Sequence, residues 1–190
     1  WCVLVLWTVQ VTHMTIIGTS LPYYCKYIFH NDSWMYSVLY FAETIVIILG
    51  AMVCPMFIKK WGKRNITLAG AVVAIAAQVC LMLNPNNFYY MFAITLIRSA
   101  GVAQLNATVF GMLGDVVEYS YWKNGFRQES MIFGGASLGF KVGSGIASAV
   151  ITSLMNASGY ISSQGADVVQ PGSAISMIAD IYKWLSLIHI

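Results

Sequence analysis

The residues able to do chemistry gather between Gly111 and Lys141, where Asp115, Glu118, Lys123, Arg127 and Glu129 join two long apolar segments. Asp115 and Glu118 share a face if a helix runs through them, with Lys59 and Arg127 as candidate partners. Such pairs close one end of a bundle when made and open it when broken; the alternative is a solvated charged loop, because exposed pairs contribute little alone. Lys141 is different. It lies about 11 residues into the following apolar segment, roughly 16 Å deep at about 1.5 Å per residue, too far to snorkel comfortably to either surface. It needs a polar cavity or a carboxylate, and Ser137, Lys141, Ser144 and Ser148, spaced four, three and four apart, give it a face of hydroxyls. Gly135, Gly139, Gly143 and Ala147 form a small-residue face opposite, suited to close helix packing.

Two more charges sit inside apolar segments. Glu43 is about nine residues from the start of its segment and Arg98 about ten from the start of its own, so both lie roughly 13 to 15 Å deep. Equal depth permits a salt bridge that braces the bundle, since an opposite charge offsets most of the cost of burial; Arg98 reaching a substrate cavity is the other possibility.

The elements that position these groups follow from composition. With 58% hydrophobic and 9% charged residues and a mean hydropathy of +0.70, the 190-residue chain is a membrane protein rather than a soluble domain. A helix crosses the hydrocarbon core with about 20 apolar residues. Six spans are expected: about 1–21, ending at Pro22; 34–58; 66–83; 88–114; 130–155; and an apolar run from about 173 to the end. The net charge of +3, without basic runs interleaved with aromatics, argues against nucleic acid as a partner. Cys2, Cys25, Cys54 and Cys80 have no metal or CxxC spacing and read as packing residues. An enzyme would need an intramembrane base with a nucleophile, or metal ligands; His13 has no second His or carboxylate at ligand spacing.

In the first span Thr8, Thr12, Thr15 and Thr19 form a stripe that serves helix–helix hydrogen bonding or lines a solute pathway. His13 beside it is either a hydrogen-bonded histidine or a functional group. Tyr23, Tyr24 and Tyr27 with Lys26 mark a membrane–water interface. The third span is almost wholly apolar, with Gln78 its strongly polar exception, and reads as a supporting helix. Lys59, Lys60, Lys63 and Arg64 between the second and third spans, and Lys123 and Arg127 between the fourth and fifth, place both connections in the cytoplasm by the positive-inside rule.

Gly-Asp-x-x-Glu-Tyr at 114–119, Asn-Gly-x-Arg-x-Glu-Ser at 124–130 and Phe-Lys-x-Gly at 140–143 resemble the connection between the tenth and eleventh helices of the glycoside-pentoside-hexuronide:cation symporters, the melibiose-permease-like branch of the major facilitator superfamily. Lys59 to Arg64 resembles the superfamily's short cytoplasmic loop, with Lys59 where many members carry Asp. The resemblance covers nearly the whole chain. It implies an all-α membrane fold, with residues 1–190 forming the C-terminal six-helix bundle of a twelve-helix transporter, the last helix truncated. It implies uptake of a sugar or glycoside coupled to a Na⁺ or H⁺ gradient in the bacterial cytoplasmic membrane. The partners implied are that substrate, the coupling cation, the lipid bilayer and the N-terminal six-helix half, which would hold most of the cation ligands; no other cofactor is implied. Lys141, with Ser137, Ser144, Thr12 and Asn106, would face substrate, and Asp115, Glu118, Arg127 and Lys59 would form a cytoplasmic gate. A facilitator for amphipathic lipids, or a sensor with a transporter's fold, would share the pattern; sugar-stacking aromatics in the cavity would distinguish the first. The chain lacks an initiating Met, and Leu-Ser-Leu-Ile-His-Ile at its end looks adaptor-derived, so both ends read as fragment ends.

Overall fold

The computed structural model describes residues 2–30, 34–162 and 169–188. Trp1 and the terminal His189–Ile190 pair lie outside the described residues. Among the described residues all regular structure is helical: α1 (Cys2–Tyr27), α2 (Met35–Leu81), α3 (Phe88–Asn124), α4 (Glu129–Ala157), α5 (Gly172–Asp180), a π turn (Ile181–Leu185) and α6 (Ser186–Ile188). Among the described residues four helices, α1 to α4, are long and apolar enough to cross a membrane.

The difference from six expected spans has two causes. First, the second and third spans join as α2, whose 47 residues would run about 70 Å if straight, over twice a hydrocarbon core of about 30 Å. The helix is broken at Gly62, with φ 77° and ψ 156°, a conformation open to glycine and costly for residues bearing a Cβ. The chain folds back there. Glu43 of the first arm and Gln78 of the second both reach Arg98, Gly50 and Gly70 meet the same level of α3 near Gly101 to Gln104, and Lys63 reaches Gly111 and Asp115. The first arm therefore runs parallel to α3 and the second antiparallel to it. Gly70 and Gly101 let the second arm lie directly on α3: a Cβ on Gly101 would stand 2.6 Å from the Gly70 carbonyl oxygen. Second, the last apolar run is interrupted by the π turn, so neither α5 nor α6 alone has spanning length.

Two other boundaries shift. α1 continues through Pro22, because losing one backbone bond within a helix is tolerated where neighbours can re-satisfy the carbonyl. α3 runs ten residues past Gly114 to Asn124 and stops at Gly125, which takes the left-handed conformation (φ 75°) and donates to the Tyr121 carbonyl.

α1 packs on α4. The small-residue face of α4 meets the Thr stripe: a Cβ on Gly143 would lie 2.8 Å from Thr12 Oγ1 and 2.9 Å from the Thr8 carbonyl. At the end opposite the basic residues, aromatic rings bind the connections together. Tyr24 donates to the Pro85 carbonyl at 2.9 Å, Phe88 packs on Phe29 and Trp34, and Tyr160 packs on Tyr23 and Tyr27. Burial, and then the Tyr27 hydroxyl 3.2 Å away, hold the Tyr160 phenol above the ordinary tyrosine range.

Candidate functional site

At the charged end the helix through α3 puts Asp115 and Glu118 in reach of different cations. Lys63 Nζ donates to both oxygens of Asp115 at 2.5 and 2.6 Å and to the Gly111 carbonyl at 3.3 Å. Arg127 Nη2 donates to Glu118 Oε1 at 2.6 Å. Lys59 is a correction: it is exposed and makes no ion pair among the described residues. The break at Gly62 is the reason, since it aims the first residue of the second arm at α3 and leaves Lys59 on the outgoing arm. Ser120, which donates to Gln128 at 2.9 Å and accepts from Asn124, fixes the short turn that carries Arg127.

The α4 face holds the predicted substrate-side residues. Phe133, Ala136, Ser137 and Phe140 follow helical spacing and, with Trp7 of α1 and Phe110 of α3, line a cavity of about 210 Å³. Trp7 is anchored by its indole N–H to the Ala136 carbonyl at 3.1 Å and meets the Phe110 ring edge-on, centroids 5.5 Å apart. Phe110 and Phe140 are half exposed. Lys141, next in sequence, is exposed beside this cavity and has no ion pair among the described residues. Ser144 is half-buried, its hydroxyl given to the Phe140 carbonyl at 2.8 Å and the Lys141 carbonyl at 3.2 Å. Thr12 sits in the α1–α4 seam and donates to the Thr8 carbonyl at 2.8 Å, so its hydroxyl is committed to packing. Asn106 is half-buried and accepts from Gln10 at 3.3 Å, tying α3 to α1.

Deeper in the bundle, Arg98 is fully buried and Glu43 keeps 13% side-chain exposure, with Nη2 and Oε1 3.4 Å apart. Arg98 Nη1 also donates to Gln78 Oε1 at 3.1 Å and to the Tyr182 hydroxyl at 3.3 Å, and the guanidinium carbon lies 5.7 Å from the Tyr182 ring centroid. With its oxygen held by Arg98, the Gln78 amide turns its nitrogen to the π turn, 3.0 Å from the Tyr182 carbonyl, 3.2 Å from that of Lys183 and 2.8 Å from Ser186 Oγ. His13 Nδ1 lies 3.0 Å from the Ser186 carbonyl. One polar network thus joins both arms of α2, α3, the π turn, α6 and α1. The sequence pointed to Glu43 and Arg98 but not to Lys63, Tyr182 or Ser186 as partners. The signal for Gln78 was present, as a lone amide in an otherwise apolar span has to find partners.

A sequence profile of the family described as MFS/sugar transport protein matches residues 1–188. The isoprimeverose transporter of Lactiplantibacillus pentosus is 29% identical over 168 residues, 87% of this chain and 34% of that protein. A putative sulfoquinovose importer of Escherichia coli is 24% identical over 139 residues, 73% of this chain and 30% of that protein. A glucuronide carrier protein homolog of the same organism is 23% identical over 150 residues, 78% of this chain and 33% of that protein. The chain spans about a third of the length of the curated relatives it matches.

Proposed function

Because this chain belongs to the MFS/sugar transport protein family and is an integral, multi-pass membrane protein, we propose that it is the C-terminal six-helix half of a twelve-helix secondary transporter that takes up a sugar or glycoside with Na⁺ or H⁺ by alternating access. In this reading the two arms of α2 count as two spans and the α5–α6 run as the sixth. Substrate sits at the face this half turns toward the missing half, and the two halves rock around it.

The α4 face carries the proposal. Trp7, Phe110 and Phe140 offer ring surfaces to the apolar C–H face of a sugar, and Ser137 and Lys141 stand beside them as hydrogen-bonding groups. An aromatic-lined cavity favours a sugar over an amphipathic lipid. The relatives' printed substrates, isoprimeverose and sulfoquinovose, are consistent with that class. The coupling cation is bound mainly by the other half. The Lys63–Asp115 and Glu118–Arg127 pairs lie at the end that the basic residues assign to the cytoplasm, where they close the inward side of the cavity and separate when it opens.

Lys141→Ala in the full-length transporter tests this. Cation-driven accumulation in proteoliposomes falls at least about tenfold, the effect of losing one charged hydrogen bond of about 1.5–3 kcal/mol, while membrane insertion is unchanged. Wild-type accumulation by that variant overturns the assignment.

A further inference from the structure

The break in α2 leaves charge that the cytoplasmic pairs do not use. Lys59, Lys60, Lys63 and Arg64 flank Gly62, and Lys63 is taken by Asp115. Lys59, Lys60 and Arg64 are exposed and make no ion pair among the described residues. Beside them a groove of about 240 Å³ runs between the two arms of α2 and α3, lined by Phe57 and Trp61 of the first arm, Ile66 and Val73 of the second and Gly101 of α3. We propose that this groove binds an anionic phospholipid of the cytoplasmic leaflet, with an acyl chain along the groove and the phosphate at Lys60 and Arg64.

Three observations support it. The groove is shaped for something slender and apolar. Gly70 and Gly101, which let the second arm touch α3, leave no side chains to fill the furrow beside that contact. From Ile66 to Val73 the furrow follows the second arm for about 10 Å, with the Gln104 amide as the polar exception in its wall. Trp61 then joins the groove to the charge. Its ring stacks on Phe57, centroids 5.8 Å apart, and Lys60 Nζ lies 5.8 Å from the centroid of the same ring, so a cation stands at the mouth of the groove. Asn65 donates to the Trp61 carbonyl at 3.0 Å, holding that residue across the break. Finally, the charge is complementary. No carboxylate lines the groove, and the unmatched cations lie at the end assigned to the cytoplasm, where the leaflet carries anionic lipids that basic side chains attract. Neither α1 nor α4 contributes to the groove, so it lies apart from the aromatic cavity that faces the missing half.

The site rests on the transport reading only for the face that the missing half covers, and its test uses no sugar, so it fails or stands apart from transport. The full-length protein is placed in phosphatidylcholine vesicles with a minor fraction of phosphatidylglycerol carrying a diazirine in its acyl chain. After illumination, adducts are located by peptide mass spectrometry, and the same diazirine on phosphatidylcholine serves as reference. Adducts from the anionic lipid are expected on the segments around Trp61 to Val73 and Ala100 to Gln104. They should exceed those from the reference lipid at least about fivefold, the effect of one basic side chain on an anionic lipid. Lys60→Gln with Arg64→Gln should bring the two lipids close to equal, while Lys60→Arg keeps the preference. Equal labelling by both lipids in the wild type, or adducts spread evenly over the exposed helix faces, overturns the proposal. So does an unlabelled groove, which would assign this face to another protein surface, either the missing half or a second copy. An undiminished preference in a well-assembled double variant overturns the placing of the phosphate. If that variant does not assemble, added salt tests the same attraction, since it screens exposed charges; a wild-type preference that salt leaves unchanged overturns it.

Discussion

Lys63 meets Asp115 at 2.5 Å with 33% and 60% of the two side chains exposed, whereas Arg98 meets Glu43 at 3.4 Å with 0% and 13% exposed. The shorter contact is the weaker contributor to stability. At the charged end, water and ions solvate either partner when the pair separates, so little free energy separates the joined from the parted state. Around Arg98 nothing replaces a lost partner, and the guanidinium has collected an amide, a phenol, an aromatic face and a carboxylate from three other segments of chain. Pairs of the first kind suit a contact that must break in every cycle; the second kind suits a brace that never should.

The largest test of that difference is removal of the buried cation. Arg98→Gln leaves Glu43 charged without its partner, and should destabilise the full-length protein by about 3–5 kcal/mol, read as a lowered unfolding midpoint in detergent and as lost expression. Glu43→Gln together with Arg98→Gln should cost less than the sum of the two single changes. Strict additivity would mean that the 3.4 Å contact carries no coupling, and the comparison would lose its buried member.

A smaller effect sharpens the role of the amide. Gln78→Leu removes one of the two acceptors of Arg98 Nη1 and the donor to the π turn, and should cost about 1–3 kcal/mol for the groups it leaves unsatisfied. Ser144→Ala, whose hydroxyl among the described residues serves only its own helix, should shift the same unfolding midpoint far less. Equal shifts would show that Gln78 fills space rather than organising the π turn.

How much of this the sequence shows depends on the kind of signal. Hydrophobic length marked the apolar runs, and equal depth in two of them placed Glu43 and Arg98 at one level, because a rise per residue is enough to compute depth. The four-residue spacing on α4 showed a close-packing face, though not that α1 was its partner. Partner choice was hidden where it turns on a single dihedral: Gly62 at φ 77° decides that Lys63, not Lys59, meets Asp115, and no periodicity reveals that angle. The π turn was equally hidden, since Ile-Tyr-Lys-Trp-Leu reads as an ordinary apolar helix until Gln78 is placed against its carbonyls.

The smallest stability effect belongs to the charged end, and there it is the function that should respond. Asp115→Asn should lower stability by only about 0.2–1 kcal/mol, and by less as salt is raised, because the pair is largely solvated. If Lys63–Asp115 is a contact made on one side of the transport cycle, the same change should nevertheless shift the balance of the two facing states, since a free energy of that size alters a two-state ratio about 1.4- to 5-fold. Cysteines placed at 63 and 115 in the full-length transporter measure this directly: cross-linking should be efficient when the cytoplasmic side is closed and fall when it opens, whereas cysteines at 59 and 115 should cross-link poorly in both states. State-independent cross-linking at 63 and 115 would make this pair a second brace, and the contrast between the two ends of the molecule would then be one of exposure alone.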